Sequence, residues 1–112
     1  MRKIERMMLT AIQNGYPVKV DNTRVCTDNN GIRIYLRANM IAAVYDNRIE
    51  IQDCGHQSNL TKSRINVLLS QFTNGARITQ KNFQWFLYNN GQQTPWVGNA
   101  TIDFSNGETS CK

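Results

Sequence analysis

The chain has 112 residues, with 13 Lys and Arg against eight Asp and Glu and a formal net charge of +5. That length allows a single domain with one modest core, and the basic balance favours polyanions as partners, including nucleic acid and acidic protein surfaces. No stretch approaches the roughly 20 apolar residues of a membrane span, and "MRKIERMMLTAIQNG" lacks the apolar run of a signal peptide, so we expect a cytoplasmic protein with no membrane partner. Cys26, Cys54 and Cys111 are odd in number and widely spaced, unlike a disulfide framework.

In chain order, Ile4, Met7, Met8, Ala11 and Ile12 recur at helical spacing, and Gly15 and Pro17 end the segment. Alternation follows. "NTRVCT" places Thr23, Val25 and Thr27 on one face, and "IRIYLR" turns Ile32, Ile34 and Leu36 in and Arg33, Tyr35 and Arg37 out. "MIAAVY" is apolar on both faces, as a central strand is. Asp46-Asn47 suits a two-residue turn at positive φ, and "RIEIQ" turns Ile49 and Ile51 inward. A second helix is predicted from about Leu60 to Phe72 on a stripe of Ile65, Leu68, Leu69 and Phe72. "ARITQ", a hairpin about Asn89-Asn90-Gly91 and "ATIDF" supply the remaining strands. Connections this short favour antiparallel pairing. The expected fold is α+β: a single domain over residues 1–104, built as a meander plus a C-terminal hairpin with two helices on the sheet, and a loose tail over 105–112.

Three groups of residues are candidates for binding. The second helix opens on Asn59, Thr61, Lys62, Ser63 and Arg64 with no carboxylate. Unpaired amides, hydroxyls and two cations there suit a phosphate, with Asn59 or Thr61 as the cap. A solvated helix end with two flexible cations is the alternative. Arg24, Arg33, Arg37 and Arg48 alternate outward on the meander with Tyr35 among them, a pattern for nucleic-acid backbone or partner binding and equally for a wet strand face. Phe83, Trp85 and Leu87 share one hairpin face and Phe86 and Tyr88 the other. Trp85, Phe86, Tyr88 and Trp96 are thus aromatic contact candidates, whether for a partner, a base, a dimer interface or two-sided burial.

Catalytic and metal signatures are weak. His56 is the single histidine, beside Cys54 but with no orienting third group, and no C-x-x-C, P-loop or G-x-G-x-x-G occurs. We therefore expect no cofactor and no metal, and lean away from an enzyme.

"KIERMMLTAI", "IRIYLRANMIAAVY", "NLTKSRINVLL" and "QKNFQWFLYNNG" resemble segments of small accessory proteins of T7-like tailed phages of marine bacteria, over roughly Lys3 to Val97. The resemblance implies a phage protein acting in the host cytoplasm, of a kind that binds and redirects host machinery, and it transfers no site residue. The leading expectation is a non-enzymatic protein binding nucleic acid, or a host or defence protein that handles nucleic acid. Two alternatives stand beside it: a protein that sequesters a small phosphorylated nucleotide, with Trp85 or Trp96 stacked on its base, and a purely protein-binding inhibitor or homo-oligomeric structural piece.

Overall fold

The structure, a computed structural model, describes residues 2–104, so the predicted tail lies outside the described residues. Helix α1 (Lys3–Asn14) precedes strands β1 (Val18–Val20), β2 (Thr23–Asp28), β3 (Gly31–Leu36), β4 (Asn39–Val44) and β5 (Arg48–Gln52). Helix α2 (Asn59–Phe72), β6 (Arg77–Lys81), β7 (Gln84–Asn89), β8 (Gln92–Pro95) and β9 (Asn99–Asp103) follow. All pairings are antiparallel. One sheet runs β1-β2-β3-β4-β5-β9 and a smaller one β6-β7-β8, which makes the domain α+β. The chain leaves the large sheet after β5, builds α2 and the small sheet, then returns as β9 to pair with β5.

The alternation explains the layers. Val25, Ile34, Leu36, Ile49 and Ile51 point from the large sheet into a core completed by Met8, Leu9 and Ile12 of α1 and Ile65, Leu68 and Leu69 of α2. Each such side chain contributes about 1.5–3 kcal/mol when fully buried. Strand β4 lies inside the sheet, as its two-sided apolar pattern predicts.

Local chemistry sets the ends of α2. Its N-cap is Ser58, not Asn59 or Thr61: the Ser58 hydroxyl accepts the Thr61 N–H at 3.1 Å. Replacing Ser58 with alanine is expected to cost about 1 kcal/mol in urea unfolding, the usual loss for such a cap.

The structure corrects three details. Asp46 and Asn47 are not at positive φ; the β4–β5 turn closes with the Tyr45 N–H on the Arg48 carbonyl at 2.8 Å. Met7 is 38% exposed, whereas Glu5 and Leu9 are buried, because α1 rotates to turn Glu5 toward α2. Phe83 does not share the strand face of Trp85. It lies in the β6–β7 turn and is 94% exposed.

Candidate functional site

The first helix turn of α2 is not an anion site built by Lys62 and Arg64. Arg64 is 1% exposed. It donates to the Glu5 carboxylate at 2.7 Å, to the Thr23 hydroxyl at 3.0 Å and to the Asn22 side chain at 3.4 Å. Ser63 donates to the same Glu5 oxygen at 2.6 Å. Lys62 extends the other way, to the Gln80 side chain at 2.7 Å. Thr61 is buried with its hydroxyl 3.0 Å from that of Ser58, which leaves Asn59 exposed. The two cations therefore point apart, and the charge that answers Arg64 comes from α1. Burial alone would raise the Glu5 carboxyl. Hydrogen bonds from Ser63, Arg64 and the Arg2 N–H, with the Arg64 charge, outweigh it and hold the group below the ordinary carboxylate range.

The predicted aromatic contacts divide. Trp85 and Trp96 are core residues, tilted against each other with ring centroids 6.4 Å apart, so neither offers a face to a base. The Trp96 indole N–H donates to buried Asp53 at 2.8 Å. Phe86 and Tyr88 are half-buried, and Arg77 sits over the Tyr88 ring at 4.4 Å.

Cys54 and His56 flank the loop that Asp53 organises. Burial, with the Asp53 charge beside it, pushes the Cys54 thiol up, and the thiol contacts the Met40 carbonyl at 3.1 Å. A thiol held protonated is a poor nucleophile. Among the described residues, no group of three His, Cys, Asp or Glu is placed to hold a metal ion.

The outward face of the meander sorts by register. Strand pairing sets Lys19 beside Arg24 and Arg24 beside Tyr35, all on the face opposite the helices. Two of the four predicted arginines are neutralised locally. Arg33 pairs with Asp28, and Arg48 pairs with Glu50 at 3.1 Å while lying over Tyr45. The other two converge. Arg24 lies over the Tyr35 ring at 4.5 Å. Arg37 occupies the β3–β4 turn at φ 58° and donates its backbone N–H to the Asn22 carbonyl at 2.6 Å, which ties that turn to the β1–β2 turn. Between the two turns opens a groove of about 500 Å³ lined by Lys19, Asp21, Asn22, Arg24, Arg37 and Ala38. Among the described residues, Lys19, Arg24 and Arg37 form no ion pair.

Sequence reasoning placed Arg24 and Arg37 in this group but missed Lys19, because "VKV" is too short to register as a strand. Its apolar–basic–apolar alternation was the available signal. Arg37 also lines a smaller pocket of about 170 Å³ with Asn39, His56, Ser58 and Thr61, where α2 begins.

Fold and surface together define a small α+β domain with a basic corner on an open sheet face. The chain belongs to the Kyanoviridae Gp96 protein family, a family of cyanophage proteins, whose model matches residues 1–110. The match bears out the phage affiliation and does not extend to the T7-like group. Neither a curated protein nor a solved structure matches the chain. Among the described residues, no helix is long and apolar enough to cross a membrane.

Proposed function

We propose that this phage protein is a non-enzymatic accessory protein that binds nucleic acid in the host cytoplasm, gripping the phosphate backbone in the groove between the β1–β2 and β3–β4 turns. The observation that carries the reading is the contrast among the basic residues. Arg33, Arg48 and Arg64 are answered by carboxylates of the same chain, whereas Lys19, Arg24 and Arg37 line one groove without such a partner. Arginine forks suit phosphate oxygens bidentately, and Arg24 stacked on Tyr35 has its guanidinium plane already oriented. Contacts to backbone alone would give binding with little sequence preference.

Fluorescence anisotropy with labelled single- and double-stranded oligonucleotides at low salt tests the proposal. The wild type binds, and the pair Arg24→Ala and Arg37→Ala together weaken binding by about tenfold or more. Arg33→Ala, which removes a locally neutralised cation, has a smaller effect. Absence of binding at low salt contradicts the proposal.

A second reading uses the same cations: the partner is a host or defence protein whose acidic surface resembles nucleic acid. Asp21 at the groove edge favours a partner with mixed charges over a bare polyphosphate. Pull-down with and without nuclease separates the readings, since only the first is nuclease-sensitive. The nucleotide-sequestering reading loses its stacking platform, because Trp85 and Trp96 are buried.

A further inference from the structure

The small sheet has two unlike faces, and register separates them. Ile78, Trp85, Leu87 and Trp96 belong to the core side. The alternate residues turn away from it, because residues directly opposite on paired strands share a face. They form one cross-strand row of Arg77, Tyr88 and Gln93 and another of Thr79, Phe86 and Pro95, with Lys81 opposite Gln84 beyond them. Arg77 lies over the Tyr88 ring at 4.4 Å, on the edge strand of this sheet. At one end of the face the β6–β7 turn, Asn82–Phe83, has φ 54° and 66°. Two left-handed residues in a row suit Asn-Gly, the pair that forms the next turn of the sheet at Asn90–Gly91. Phenylalanine in that position is strained, and its ring is 94% exposed, two residues from Lys81.

No carboxylate of the sheet answers these cations. Residues 54–102, which include α2 and the whole small sheet, contain no Asp or Glu. Among the described residues, Arg77 and Lys81 form no ion pair. Charge therefore favours a polyanion on this face, and the rings narrow the choice. A single-stranded nucleic acid carries one phosphate and one flat base per residue, so bases stack on aromatic side chains while cations follow the backbone. A duplex keeps its bases stacked inside, and an acidic protein surface brings no flat rings in step with its charges. We propose that the open face of the small sheet is a platform for unpaired bases, with Phe86 and Phe83 as the stacking rings and Arg77 and Lys81 on the flanking phosphates. The inference rests on the nucleic-acid reading above and names its ligand as single-stranded. The platform shares no residue with the phosphate groove.

Fluorescence anisotropy at low salt tests this with two labelled probes of equal length, an oligothymidylate and its abasic counterpart. Both carry the same phosphates, and only the first has bases. The wild type should bind the oligothymidylate about tenfold more tightly. Phe86→Ala and Phe83→Gly should each reduce that preference while leaving affinity for the abasic probe unchanged. Phe83→Gly also relieves the turn, so its Tm should not fall and a folding defect cannot explain its loss. Arg24→Ala with Arg37→Ala should instead weaken both probes alike and keep the preference. Equal wild-type affinity for the two probes, or a preference that survives both phenylalanine variants, would overturn the platform, assign its face to a protein partner and leave the groove standing. Binding of neither probe would overturn both.

Discussion

Replacing Arg64 with alanine is expected to destabilise the domain by about 3–5 kcal/mol, because it leaves a buried carboxylate without its cation. Glu5 is 1% exposed, and its remaining donors would be the Ser63 hydroxyl at 2.6 Å and the Arg2 N–H at 3.3 Å. The Thr23 hydroxyl and the Asn22 side chain lose a partner in the same step. A domain of this size has a total stability of about 5–15 kcal/mol, so the loss is a large fraction of it. Urea unfolding with linear extrapolation measures it. The double variant Glu5→Leu with Arg64→Met is expected to be markedly milder than Arg64→Ala, since removing both charges leaves neither one buried and unpaired. A mild single variant would mean that water reaches Glu5. An equally severe double variant would mean that packing around the pair, not its charge, holds the helices together.

Replacing Asp53 with alanine is the second large effect, expected at about 2–5 kcal/mol, because three donors lose their acceptor at once. Asp53 takes the Trp96 indole N–H and the Gly55 N–H, each at 2.8 Å, and the Gln57 amide at 3.2 Å. It thereby fixes the loop into α2 and the segment that returns the chain to β9. Burial would raise this carboxyl, but those three donors outweigh it and hold it below its ordinary range. Glu5 is shifted the same way. A carboxyl whose pKa is depressed by folding contributes its full stability above the unfolded value and loses it as the pH falls toward the folded one. The domain should therefore lose stability below about pH 4. Asp53→Asn, which cannot ionise, should flatten that acid arm by the Asp53 share, and Trp96 fluorescence follows the local opening.

Most of the fold was legible because hydrophobic period and turn chemistry agreed with each other. "IRIYLR" alternates, "MIAAVY" does not, and the structure accordingly places one face of β3 on the core and β4 within the sheet. The candidate-site residues were less legible because a side chain's partner belongs to tertiary structure. Arg64 read as a solvent-facing cation, yet it follows Thr61 by three residues and precedes Leu68 by four, on the buried stripe of α2. Glu5 holds the matching position relative to Met8 and Leu9 on α1. Opposite charges on the inner stripes of two helices were the available sign of a buried pair. No periodicity announces that Arg33 and Arg48 find Asp28 and Glu50 while Arg24 and Arg37 do not; that depends on which turn or strand neighbour supplies a carboxylate. Phe83 was misplaced because Asn-Phe is not a usual two-residue turn, so the strand pattern extended through it.

The proposed phosphate grip of Lys19, Arg24 and Arg37 is tested most directly by the salt dependence of nucleic-acid affinity. If each of the three neutralises one phosphate, they contribute a slope of log affinity against log salt of about −2 for single strands and about −2.7 for duplex. Their combined replacement by alanine should remove most of that contribution while leaving Tm unchanged. A wild-type affinity indifferent to salt, or a triple variant with the wild-type slope, would contradict it.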